Sequence, residues 1–356
     1  MTQQLLTQYR QDLHRIPETD FDLPETLAYV RRVLEQYPCT LFSPCESTRC
    51  ACFDAGKPHT AAFRADMDAL PMREESGLPF ASQRSCAHTC GHDMHTAMLL
   101  GAAQLLRDRA AELNGTVKFM FQPGEEVLSG ARSMIEAGIL EDPHVDAAMG
   151  AHMIPMIPAG LGGYGTGVVS ASSDHLVIRV EGRGGHGAHP QSTVDPINIG
   201  VHIHLALQEL LSREADPAEL VVLTFGKFQG GDAANIIPSS AVLEGTLRTF
   251  SEPLRTHLLE RIDTICTCTA EAFRGRAQVT DLCSTCSLQI DGDTAAAVAQ
   301  GWQREGLKML QRGEKMSGSE DFAEIAARVP STFFVVGGGT AQDGCGVSLH
   351  NPKIRF

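Results

Sequence analysis

No run of eighteen apolar residues occurs anywhere in the sequence, which excludes a membrane-spanning helix. The opening stretch, Met1 to Leu13, is polar and lacks the apolar centre of a secretory signal, so the expectation is a cytoplasmic protein. No basic patch is present: 29 Lys and Arg face 43 Asp and Glu, and the net charge of -14 is spread along the chain. A polyanion would be repelled, so nucleic acid is excluded as a partner. Internal repeats and low-complexity tracts are missing too, and with them any case for a disordered chain.

What remains is an ordinary globular composition, 43% hydrophobic and 20% charged, in 356 residues. That length predicts two domains, because a single core stops growing well before it. Eleven cysteines are many, but an odd count in a large chain without an export signal argues for reduced thiols. Cys266 and Cys268 with Cys283 and Cys286 offer a possible structural zinc site, although the spacing matches zinc ribbons poorly.

A first-turn proline, Pro24, opens a helical pattern that runs to Tyr37. Short apolar runs at Thr60 to Phe63, Val117 to Phe121 and Ala147 to Ala151 read as buried strands, separated by helical patterns at Met94 to Ala111 and Gly130 to Ala137. Strand and helix in alternation predict an α/β fold with a mixed, mostly parallel sheet covered by helices. From about Ser170 the order becomes β-α-β-β-α-β: strands at His175 to Val180, Glu219 to Phe225, Ala241 to Arg248 and around Gln278 to Leu282, with helices at Asp195 to Leu211 and Pro253 to Phe273. This order predicts a small ferredoxin-like domain inserted into the first, with boundaries at 1–171, 172–287 and 288–356. Helical pattern returns after Asp291 and at Glu320 to Ala327, before the apolar strand Thr332 to Val336.

Three segments place metal-binding residue types where an α/β sheet exposes its functional edge, each expected just after a strand. They are Cys90-Gly91-His92-Asp93, Pro123-Gly124-Glu125-Glu126 and Gly150-Ala151-His152; a fourth, Leu349-His350-Asn351-Pro352, lies near the C-terminus. Together they supply one thiolate, three imidazoles and at least one carboxylate, a borderline-soft set suited to zinc and related divalent ions. In the glutamate pair, Glu126 is expected to hold metal while Glu125, free of that duty, acts as general base on metal-activated water. His95 and His189 sit beside these motifs and are read as packing residues, as are His14, His59 and His202.

The chain resembles the peptidase and aminoacylase family with two co-catalytic metals, and within it the branch of hippurate hydrolases, indole-acetyl-amino-acid hydrolases and N-acetyl-diaminopimelate deacetylases. The likeness runs almost end to end. It covers Arg10 to His14, Arg64-Ala65-Asp66-Met67-Asp68-Ala69-Leu70-Pro71, the C-G-H-D and P-G-E-E runs, Gly182 to Pro190, Asn235-Ile236-Ile237-Pro238 and Ser319-Glu320-Asp321-Phe322. It implies a phosphorylase/hydrolase-like zinc exopeptidase fold, helices on both faces of the sheet, and two divalent ions, zinc or else manganese, nickel or cobalt. Cys90 would join the two ions, with His92 and Glu126 on one side and His152 and His350 on the other, and Asp68 would fix a ligand from behind. The inserted domain would be a lid and dimerisation module. Its His186 would steady the oxyanion, and Asn235 and Arg248 would hold the substrate carboxylate.

The implied reaction is hydrolysis of the amide bond of an N-acyl amino acid. Dipeptidase or carboxypeptidase action would use the same site, and a binding or sensing protein that has lost turnover is the alternative of another class. The intact Glu125 argues against the last. Three departures stand out: relatives continue past the final histidine into a strand and closing helix, the stretch from Asp291 to Ser319 is short, and His88-Thr89 precedes the cysteine where alanine is frequent.

Overall fold

The computed structural model describes residues 3–107 and 109–356. They form two compact units, one comprising the chain through Val169 with Leu288–Glu314 and Glu320–Phe356, the other Ser170–Ser287 with Lys315–Ser319.

The first unit is built on an eight-stranded sheet. In spatial order the strands are Thr40–Phe42, Arg49–Phe53, Thr116–Gln122, Thr60–Asp66, Ala147–Ile154, Ser331–Gly337, Leu161–Tyr164 and Lys308–Gln311. The four central strands run parallel; Thr40–Phe42 and Arg49–Phe53 join one side by antiparallel pairing, and on the other Leu161–Tyr164 joins antiparallel and pairs in parallel with Lys308–Gln311. Helices cover both faces, which is why the central strands read as continuous apolar runs rather than alternating ones. Adjacent phenylalanines show the two coverings: Phe334 stacks on Trp302 of the helix Gly292–Arg304 at 4.9 Å, while Phe333 lies 5.6 Å from Phe322, which precedes the short helix Ala323–Ala326. The largest cluster joins Phe53, Phe119 and Phe121 of the sheet to Leu13, Val30, Val33, Leu34, Leu100 and Ala103 on the helices Gln3–His14, Pro24–Leu34 and His92–Arg107.

In the second unit the strands lie in the order Val221–Gly230, Ser240–Thr249, Ser173–Glu181 and Arg276–Thr285, all neighbours antiparallel. The helices Pro196–Glu209 and Glu252–Ala272 complete a β-α-β-β-α-β chain order, the ferredoxin-like arrangement. Alternate residues of Ser240–Thr249 are buried, and Leu243 and Leu247 meet Ile199, Ile203, Leu258 and Ile262 from the helices. Asp195 starts the first helix by accepting the N–H groups of Ile197 and Asn198, with Pro196 in the first turn.

Several local expectations change. The polar N-terminal stretch forms a helix, Gln3–His14, that buries Tyr9, Leu13 and His14. Only Ala323–Ala326 is helical near Glu320, where side-chain hydrogen bonds take over the preceding backbone. Cys90 is reached through a long connection from Asp66 rather than from a strand, and His152 lies inside the strand Ala147–Ile154. Of the expected placements, Pro123–Glu126 does follow a strand, Thr116–Gln122. No helix among the described residues is long and apolar enough to cross a membrane.

Candidate metal centre

His92 is the first residue of its helix, and Gly91 before it takes φ +89, the left-handed backbone that turns the chain into the helix. The Nδ1–H of His92 donates to the backbone carbonyl of Asp68 at 2.8 Å, which aims Nε2 at the glutamates. His152 is oriented in the same way, Nδ1–H donating to the Met153 carbonyl at 2.8 Å. Its Nε2 lies 3.3 Å from Cys90 Sγ, and so does Nε2 of His350, which is also 3.5 Å from Glu126 Oε2.

The glutamate loop begins where the strand Thr116–Gln122 ends and turns at Gly124, φ +61. Asp68 holds it: one carboxylate oxygen accepts the Glu125 N–H at 3.1 Å and the other the Glu126 N–H at 3.0 Å. Asp68 thus fixes an imidazole with its backbone and the glutamate pair with its side chain. This division of labour has no signal in the sequence.

Ligand-type atoms fall within 4.8 Å of one another in the sets Cys90, His92, His152 and Cys90, Glu126, His350. His92 falls in a further set with Glu125 and Glu126, so His92 lies within reach both of Glu126, its expected partner, and of His152, with Cys90 common to the first two sets. His92 Nε2 and Glu126 Oε1, 3.8 Å apart, are buried and have no hydrogen-bond partner. Buried polar atoms left so are rare and costly, and here two of them face each other.

The electrostatics of the site show the same crowding. Burial first, and the carboxylates of Glu320, Asp321 and Glu126 next, push Glu125 well above the usual carboxylate range. Burial also pushes Glu126 up to about 7 and raises the Cys90 thiol. Burial, then His95, holds His152 neutral, as a metal ligand must be. Burial lowers His350 as well, whereas against burial Asp66 and then Cys90 hold His92 well above the ordinary imidazole range; acids kept protonated around a shared cationic ring are a condition that a bound cation relieves. The residues present therefore fit a divalent ion in each set.

His95 is spent elsewhere: Nδ1–H donates to Asp66 at 2.6 Å and Nε2 accepts the Met153 N–H at 2.8 Å. His14 is not the packing residue expected but a buried charge partner, 2.8 Å from Asp93 and 3.1 Å from Glu74. Its spacing four residues after Arg10, which also reaches Asp93, was the available clue. Cys266 is buried in the apolar core of the second unit while Cys268 is exposed, so that pair does not converge on one point.

Within the second unit, His186 is exposed on a two-stranded ribbon, Gly185–His186 against Ile236–Ile237, with its Nδ1 accepting the Ala188 N–H at 3.1 Å. The Asn235 carbonyl accepts the Gly187 N–H at 2.8 Å, bringing Asn235 close to His186. Arg248 reaches the Ser317 carbonyl at 3.2 Å.

Residues 62–356 match the model of peptidase family M20/M25/M40. The chain is 36% identical over 355 residues to an N-acetylcysteine deacetylase of Bacillus subtilis, covering 99% of this chain and 91% of that protein. An IAA-amino acid hydrolase (ILR1-like 4) of Arabidopsis thaliana is 35% identical, over 97% of this chain and 80% of its own length. Among solved structures, the Bacillus subtilis YXEP protein, described as a dinuclear metal binding peptidase of the M20 family, superposes with a TM-score of 0.82 at 33% identity, over 99% of this chain and 92% of that one. With that extent of match in sequence and in fold, the chain belongs to peptidase family M20/M25/M40.

Proposed function

We propose that this protein is a metal-dependent hydrolase that cleaves the amide bond of N-acyl amino acids, releasing a carboxylic acid and a free amino acid. The observation that carries the reading is the convergence of Cys90, His92, Glu126, His152 and His350, with two buried ligand atoms unpartnered, beside a second glutamate, Glu125, 3.9 Å from His92 Nε2. Relatives named for deacetylation of N-acetylcysteine and for hydrolysis of IAA-amino acids support the same substrate class.

Cys90, His92 and His152 would hold one divalent ion and Cys90, Glu126 and His350 the other. Such ions supply Lewis acidity, polarising the amide carbonyl and lowering the pKa of water. Glu125 takes the proton from the attacking water and returns it to the leaving amine nitrogen. Asp68 orients both glutamates through their N–H groups. The roles of His186 as oxyanion donor and of Asn235 and Arg248 as carboxylate binders rest on the family resemblance, as does a homodimer formed through the second unit. We favour zinc, with manganese, nickel and cobalt as alternatives; a thiolate at Cys90 favours the softer ions.

The test is a panel of N-acetyl, N-benzoyl and N-succinyl amino acids on protein loaded with each metal. Chelator-sensitive hydrolysis with about two ions bound is the expected result. Glu125→Ala should keep its metal and lose on the order of 10²–10⁴ in kcat. Parental activity in that variant rejects Glu125 as the base.

A further inference from the structure

Behind the metal centre lies a buried charge cluster that the proposed reaction leaves unused. Arg64, on the strand Thr60–Asp66, is 5% exposed and surrounded by three carboxylates. Its Nη1 reaches Asp66 at 2.7 Å, and its Nη2 reaches Asp321 at 2.7 Å and Glu320 at 3.0 Å, while Nε donates to the Gln122 side-chain oxygen at 2.9 Å.

Two chains of contact leave this guanidinium. The first passes through Asp66, whose other oxygen accepts the His95 Nδ1–H at 2.6 Å. Nε2 of His95 then accepts the Met153 N–H at 2.8 Å, and the Met153 carbonyl accepts the His152 Nδ1–H at 2.8 Å. The second passes through Asp321, which accepts Gln122 Nε2–H at 2.7 and 2.8 Å and the Ala131 N–H at 2.9 Å. Gln122 and Ala131 flank the loop that presents Glu125 and Glu126. One chain thus ends on the Cys90–His92–His152 set and the other brackets the loop that contributes Glu126 to the second set.

We propose that Arg64 is a positioning residue for the metal centre, fixing His152 through Asp66 and His95 and the Glu125–Glu126 loop through Asp321 and Gln122. The inference rests on the metal-dependent reading above. It requires arginine in particular, because a planar fork addresses several acceptors in fixed directions and an ammonium does not.

The test compares Arg64→Lys with the parent. Metal-free protein is titrated with cobalt(II), following the d–d bands and the thiolate-to-cobalt absorption, and kcat and KM are measured on the loaded enzyme with N-acetyl amino acids. Arg64→Lys should retain the thiolate band, since Cys90 meets the first chain only at its far end, His152. It should lose about tenfold or more in cobalt affinity and a comparable factor in kcat, with KM changed by less than about twofold. A variant that melts earlier yet binds cobalt and turns over like the parent overturns the inference, because packing alone then explains Arg64. Should Arg64→Lys fail to fold, Asp321→Asn tests the loop arm, with the same loss of kcat expected and an unchanged kcat overturning it. The parent protein separates the two levels of argument: failure to take up cobalt or hydrolyse any substrate rejects the metal-dependent reading, whereas a cobalt-binding, active parent matched by its variant rejects only the role of Arg64.

Discussion

His14 lies between two carboxylates, Nδ1 against Asp93 and Nε2 against Glu74, with Arg10 beside Asp93. Burial alone would strip its proton, but Asp93 and then Glu74 outweigh burial and raise its pKa to about 9. The folded value exceeds the ordinary one near 6.5, so the stabilisation is complete below about pH 6.5 and is lost as pH rises through about 9. The shift corresponds to about 3 kcal/mol at its fullest. Urea unfolding with chelator present should show the midpoint falling across that window, and His14→Gln should remove most of the fall. A variant whose midpoint follows pH as the parent does would assign the dependence to other groups. His88, close by and fully buried, is driven the other way, to about 4, and stays neutral throughout the window.

At the scale of the element, the loop from Pro123 to Gly130 decides where the glutamates sit. A Cβ on Gly130 would overlap the Pro123 carbonyl oxygen, and backbone cannot swing aside as a side chain does. Gly130→Ala should cost about 1–3 kcal/mol and lower metal content, read by thermal melting and metal analysis; normal metal content would show that the loop tolerates the shift. Gly138→Ala makes a control, because nothing lies within 4 Å of its Cβ and only its φ of +80 opposes the change. The motif in this loop was legible in sequence because an apolar strand leads straight into it. The central strands and both helices of the ferredoxin-like unit were legible for the same local reason, their periodicity. Strands as short as Thr40–Phe42 leave too little periodicity to register, and the Gln3–His14 helix was masked by its polar composition. Arg64 and Asp321 stood out as parts of motifs, but their contact with each other was not legible, because it joins residues far apart in the chain and depends on side-chain direction.

At the scale of the whole molecule, each unit has a core of its own. Heat unfolding should therefore depart from a single two-state transition. All the proposed ligands belong to the first unit, so chelation should lower one transition and leave the other in place. Saturation a thousandfold above the dissociation constant is worth about 4 kcal/mol. A uniform shift of both transitions, or none, would contradict that assignment. Cys90 and His350 stand 260 residues apart, and Arg64 and Asp321 stand 257 apart. Contacts of such long range close only after shorter loops have formed, so the centre assembles late along the folding route. Interactions that form late slow escape from the native state without hastening arrival at it. Bound ions would then prolong the lifetime of the finished enzyme while giving a newly made chain no help in reaching that form.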